Sequence, residues 1–128
     1  MARVAGVGTD LTQISRFSRF VEQEKTSLLD RLFTATEQAY AMSKRNPAPH
    51  LAARFAAKEA FLKALGLGLR EGISWQDMNI VRDDLGKPSM ELSGRALEIF
   101  EQRSLLSIHL SYSHDGDYAM ATVVLEEA

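Results

Sequence analysis

Residues 54–69 read RFAAKEAFLKALGLGL, and the fold turns on how this stretch is read. It has the length and composition of one helix that stops at Gly66, since glycine readily takes the left-handed conformation that ends helices. At about 100° per residue the helix has no purely polar face. Leu51, Phe55, Leu62 and Leu65 gather on one arc, and Ala53, Ala57, Ala60 and Ala64 on the opposite one. Arg54 and Lys58 fall beside the large apolar residues, and Glu59 and Lys63 fall between the two stripes. A surface helix would collect its charges on one solvated side. This pattern instead predicts a central helix that packs on two sides, with its charges lining a cleft between them.

The flanking sequence supplies partners. Val4–Asp10 is small and apolar and predicts a strand ending in Thr9-Asp10. Thr12 is placed to cap a helix over Gln13–Glu24, whose buried face is Ile14, Phe17, Phe20 and Val21. A short helical piece is expected near Ser27–Leu32. Thr34 and Glu37 have capping-box spacing for a helix through Lys44. Asn46-Pro47-Ala48-Pro49 breaks the chain, and the central helix follows over His50–Leu65. Beyond Gly72 the pattern predicts a strand over Met78–Arg82, a turn at 84–88, a return strand over Ser89–Leu92 and a helix from a Ser93 cap to Arg103. Strands Ser107–Ser113 and Tyr118–Leu125 then form a hairpin across Asp115-Gly116, a type I′ signal. With no linker or repeat, residues 1–128 read as one α+β domain: a small, mainly antiparallel sheet packed on a long central helix.

Composition narrows the function. The 128 residues can bury a sizeable core, and 45% hydrophobic with 25% charged residues is a globular balance. A net charge of −2 argues against a general nucleic-acid partner. The absence of cysteine excludes disulfide and thiol chemistry and fits a reducing, cytoplasmic setting. No signal peptide is expected from MARVAGVGTDL, and no apolar run is long enough to span a membrane.

Three stretches carry groups able to do chemistry. Glu59 and Lys63, four apart, read either as a helix ion pair or as a carboxylate and a lysine lining a cleft that takes a hard cation and a phosphorylated ligand. Asp10 ends the first strand, where Gly6 and Gly8 allow close backbone approach. It is either a turn-forming residue or a second ligand, because magnesium uses one or two protein carboxylates and completes its shell with water and phosphate. In His109-Leu110-Ser111-Tyr112-Ser113-His114-Asp115, period-two alternation puts His109, Ser111 and Ser113 on one strand face, solvated or ligand-facing. The three histidines have no zinc spacing, and neither a nucleophile elbow nor a Walker loop occurs.

Taken in order, four motifs resemble those of the holo-acyl-carrier-protein synthases, small bacterial phosphopantetheinyl transferases. They are Gly6-Val7-Gly8-Thr9-Asp10-Leu11, Arg54-Phe55-Ala56-Ala57-Lys58-Glu59-Ala60, Gly86-Lys87-Pro88 and the closing stretch 109–115, and the resemblance covers almost the whole chain. It implies a homotrimer with active sites between subunits. It implies Mg2+-dependent transfer of 4′-phosphopantetheine from coenzyme A to a serine of apo acyl carrier protein, in support of fatty acid biosynthesis. Asp10 and Glu59 match the magnesium ligands, and Lys63 matches a phosphate-contacting lysine that acts with Glu59 in catalysis. Coenzyme A contacts are implied for Asp10, Arg54, Lys58, Lys63, Gly66, Gly68, Lys87, Pro88, His109 and Ser111. Arg16 matches a carrier-docking position, and Arg19, three residues on, neighbours it on the helix. The resemblance leaves the base that deprotonates the serine open among Glu59, a metal-bound water, His114 and Asp115.

Two positions depart from the pattern: Leu67 stands where many members have threonine, and Leu62 where relatives carry serine. The alanine stripe of the central helix is expected to approach another subunit. The other readings are a transferase serving different carrier domains and a non-catalytic module that binds coenzyme A or a nucleotide.

Overall fold

The computed structural model describes all residues, 1–128. The elements follow in the order β1 (Arg3–Gln13), α1 (Ile14–Glu22), α2 (Thr26–Leu32), α3 (Ala35–Met42), α4 (Ala48–Leu65), a 3-10 turn at Trp75–Asp77, β2 (Met78–Arg82), β3 (Pro88–Leu92), α5 (Gly94–Gln102), β4 (Leu105–Asp115) and β5 (Tyr118–Glu127). The architecture is α+β, as the sequence pattern predicts.

The central helix starts two residues before the expected His50, with Pro49 inside its first turn. Proline is tolerated there because a first-turn N–H has no intrahelical acceptor to lose. Its C-terminus is a Schellman motif. Gly66 at φ +77° donates to Lys63 O, and Leu67 N donates to Leu62 O at 3.0 Å. Leu67 then turns inward and packs on the core that contains Leu62 and Leu65. That apolar clasp is what this chain has at the position of the expected threonine.

The strands form two antiparallel sheets rather than one. The larger has the order β1-β5-β4, and β2 and β3 pair only with each other. The β2–β3 ribbon packs against β4 without sharing a hydrogen-bond ladder. Helix α4 lies across the inner face of the larger sheet, antiparallel to β1. A Cβ at Gly6 would collide with the carbonyl of Ala64, and one at Gly8 with the carbonyl of Ala60. Two strand residues rise about 6.6 Å and four helix residues about 6 Å, so Gly-x-Gly and Ala60–Ala64 stay in step. The alanine stripe is therefore consumed inside the chain, with Ala57 and Ala60 fully buried. The expectation that it faces another subunit is corrected: only glycine and alanine let β1 and α4 come this close.

Two helix caps differ from expectation in the same way. Strand β1 continues to Gln13, so Thr12 lies within the strand and does not cap α1. Asp117 from the β4–β5 turn does so, accepting from Ser15 N at 2.9 Å, while its backbone carbonyl accepts from Ile14 N at 2.7 Å. Ser93 sits at the N-cap of α5, but its hydroxyl makes no cap bond. Asp77 accepts from Ala96 N at 3.2 Å instead. The hairpin turn is Gly116-Asp117, one residue later than expected. Positive φ at Gly116 alone makes it type II′ rather than I′.

The outer face of the larger sheet is not covered. Val7, Val124 and His109 form one row across it, and Leu11, Met120 and Ser113 another. Val7 and Leu11 are 60% and 66% exposed.

Candidate active site

The close contact of β1 with α4 brings Asp10 and Lys63 together. Lys63 Nζ donates to Asp10 Oδ1 and to the carbonyl of Thr9, each at 3.0 Å. Asp10 Oδ2 accepts from the Thr12 hydroxyl at 2.8 Å. The Lys63 side chain is 53% exposed and that of Asp10 15%, so the pair opens to solvent on the lysine side.

Glu59, half-buried, has no salt-bridge or hydrogen-bond partner in this site. Burial raises its carboxyl above the ordinary range, and the nearby Asp10 charge raises it further. Lys63 and Arg16 oppose the shift. The helix ion pair with Lys63 is not formed; Lys63 pairs with Asp10 instead. No three ligating side chains converge anywhere in the molecule. Two carboxylates, Glu59 half-buried and unpaired and Asp10 keeping lone pairs beyond its two donors, fit a magnesium ion that takes the rest of its shell from water and phosphate oxygens. They do not suit a metal that needs a full set of protein ligands.

Lys58 and Arg54 are engaged within the chain rather than free beside Asp10 and Lys63. Lys58 is fully buried, and its three donors are used: Glu37 Oε1 at 2.7 Å, Leu32 O at 2.8 Å and Trp75 O at 3.2 Å. Burial pulls its amine below the ordinary value, and Glu37 opposes that. Arg54 is 2% exposed; its guanidinium stacks 4.4 Å from the Tyr40 ring centroid and donates to His50 O. Sequence reasoning missed this surrounding group. Lys44 and Arg82 also lie over Tyr40, and none of these cations has a carboxylate partner within salt-bridge reach. A partly buried Tyr40 and basic residues scattered along the chain give no local signal of such a cluster.

The remaining expected contacts lie elsewhere. Gly66 and Gly68 are open, with no crowding around either. Lys87 and Pro88 sit at the β2–β3 turn. His109 and Ser111 are on the outer sheet face, where His109 hydrogen-bonds Glu126. Hydrogen bonds from His109 and then Ser107 pull the Glu126 carboxyl below its ordinary value. Strand β5 separates β1 from β4, and Asp10 pairs with inward-facing Ala121. One chain therefore does not bring Asp10 together with His109, Ser111 or Lys87. His114 and Asp115 are exposed at the hairpin end. Arg16 and Arg19 are exposed on α1, and the Arg16 guanidinium lies 5.9 Å from the ring centroids of both Phe17 and Phe55. Sequence spacing did not expose Asp117 as a cap, nor the contacts of Thr12 with Asp10 and of Glu37 with Lys58.

Fold and site together define a small α+β protein with two neighbouring carboxylates and a half-exposed lysine paired with one of them, the equipment of a phosphate-handling enzyme. The model of the 4′-phosphopantetheinyl transferase superfamily matches residues 6–123, and the chain belongs to that family. A holo-[acyl-carrier-protein] synthase of Syntrophotalea carbinolica is 57% identical over 126 residues, 98% of each chain. The crystal structure of the holo-[acyl-carrier-protein] synthase of Neisseria meningitidis superposes with a TM-score of 0.87 at 32% identity, covering 96% of this chain and 98% of that one. The Helicobacter pylori enzyme, solved in complex with coenzyme A, gives 0.80 at 30% identity over 93% and 98%.

Proposed function

We propose that this chain is a phosphopantetheinyl transferase that moves the 4′-phosphopantetheine arm of coenzyme A onto a serine of apo acyl carrier protein. The carrier serine oxygen attacks the phosphorus attached to the pantetheine. The bond from that phosphorus to the bridging oxygen breaks, and adenosine 3′,5′-bisphosphate leaves with the electron pair. The observation that carries this reading is the Asp10–Glu59–Lys63 constellation in a member of this family.

Lys63 stabilises charge on the phosphate oxygens, since its side chain is half in solvent and its ammonium is held at the strand end by Thr9 O and Asp10. Asp10 and Glu59 would hold Mg2+, which when bound neutralises the diphosphate and polarises the phosphoryl group. A carboxyl raised toward the working pH, as at Glu59, makes a better proton acceptor for the serine hydroxyl. His114 and Asp115 are the alternative bases.

Assembly is part of the same reading. A homotrimer would cover the exposed apolar row of the outer sheet face. It would let Lys87, Pro88, His109 and Ser111 of one copy face Asp10, Glu59 and Lys63 of the next, which one chain cannot do. The unpaired cations around Tyr40, with Arg54 among them, add a positive field suited to the anionic end of coenzyme A. Arg16 and Arg19 offer α1 to an acidic carrier. No helix of the protein is long and apolar enough to cross a membrane. A cytoplasmic role in fatty acid biosynthesis completes the reading.

The test is direct. The purified protein, incubated with coenzyme A, Mg2+ and apo acyl carrier protein, should add the mass of one phosphopantetheine arm to the carrier. Coenzyme A binding with no mass gain would replace the transferase reading with that of a binding module.

A further inference from the structure

The threonine that the sequence offers as a helix cap has a different partner. Thr12 is 2% exposed, and its hydroxyl donates to Asp10 Oδ2 at 2.8 Å. Positions 10 and 12 lie on the same face of β1, so the contact is built into the strand. Thr12 can do this because α1 takes its cap from Asp117, 102 residues away, whose carboxylate accepts both the backbone N–H and the hydroxyl of Ser15. We infer that Thr12 is a positioning residue: it holds Asp10 in the orientation that keeps the carboxylate available to a divalent cation. The inference rests on the reading of Asp10 as a cation ligand.

The physical reason lies in what Asp10 does without it. The terminal torsion of aspartate is broad and nearly free to turn. Lys63 Nζ stands 3.0 Å from Oδ1 and is the only other side-chain donor to this carboxylate. Once released, the carboxylate can rotate and offer both oxygens to Lys63. That closed ion pair competes with a cation and also ties up the lysine meant for phosphate. A neutral hydroxyl on Oδ2 blocks the rotation and adds no positive charge to repel the cation. Thr12 touches neither substrate nor metal in this scheme, and acts through Asp10. Hydrogen-bonded partners of ligating carboxylates commonly matter this much: their loss costs about 10-fold or more in metal affinity.

Thr12→Val keeps the buried shape and removes the donor, and Thr12→Ser restores it. Mn2+ serves as the probe, titrated by electron paramagnetic resonance into the protein with coenzyme A and no carrier, so that nothing turns over. Asp10→Asn is the reference for a lost ligand. The expected result is about 10-fold weaker Mn2+ binding for Thr12→Val and near wild-type binding for Thr12→Ser. In transfer assays Thr12→Val should need more Mg2+ for half-maximal rate, with an unchanged KM for coenzyme A at saturating metal. Wild-type affinity in Thr12→Val overturns the inference. So does equal weakening in Thr12→Ser, or a loss of thermal stability shared by both variants that accounts for the weakening. If the wild-type protein with coenzyme A binds no Mn2+, the cation reading of Asp10 itself falls, and the inference with it.

Discussion

Lys58 and Lys63 stand five residues apart on one helix, and each is paired with a carboxylate from another element. Lys58 meets Glu37 at 2.7 Å, with both side chains fully buried. Lys63 meets Asp10 at 3.0 Å, with its own side chain half in water. The first pair is closed. Glu37 also accepts from Thr34 N and Ile80 N, and Lys58 from α4 reaches carbonyls at the end of α2 and in the 3-10 turn. It joins five elements and leaves no donor for a ligand. The second pair is open and can exchange its partner for phosphate. The same two chemical groups are thus locked into the framework or left open to solvent according to burial and to how many partners are already satisfied.

Removing each lysine should separate these roles. Lys58→Met leaves Glu37 charged and unpaired in the interior, at a cost of about 3–5 kcal/mol. Urea unfolding should show this, and adding Glu37→Gln should recover part of it, since the amide oxygen can still accept from the backbone. A loss under about 1 kcal/mol for Lys58→Met would end the framework reading.

Lys63→Met is expected to do the reverse. Its stability should change by less than about 1 kcal/mol, because an exposed ion pair contributes little. Its kcat should fall by about 100-fold or more, as expected for a lost donor to a developing negative charge. Single-turnover transfer at saturating coenzyme A measures the rate. A near-normal rate would show that Lys63 is only a partner of Asp10.

The smallest effect belongs to a third kind of environment, where cations gather without a carboxylate. Burial first, and then Arg54, Lys44, His114 and Arg82, pull His50 below its ordinary value of 6.5. The unfolded chain therefore binds this proton more readily. The stability from a neutral His50 is complete above pH 6.5 and is lost as pH falls from there through the folded pKa. His50→Gln should flatten the fall in urea midpoint between pH 7.5 and 5. An equal slope in both proteins would remove His50 as its source.

Most elements were legible because their signals are local. The Thr34–Glu37 capping box forms as its spacing predicts, and the helix ends at Gly66 as glycine demands. The caps of α1 and α5 were misread because Ser, Thr and Asp all satisfy helix N–H groups. A remote aspartate that packs against the helix end competes with the nearby hydroxyl. Glu37 illustrates both sides. Its place in the capping box follows from three-residue spacing, but its burial against Lys58 depends on how α3 and α4 pack.

The sequence by itself determined the central helix with apolar residues on two sides, the order of strands and helices, and the candidates Asp10, Glu59 and Lys63. These rest on periodicity, on turn chemistry and on motifs a few residues long. Tertiary structure alone decided which charges face the cleft. It buried Lys58 and Arg54, paired Lys63 with Asp10 rather than Glu59, and spent the alanine stripe on Gly6 and Gly8. A helical wheel fixes the angle between side chains on one element. It cannot say which neighbour each angle meets, because that depends on the packing of residues distant in sequence.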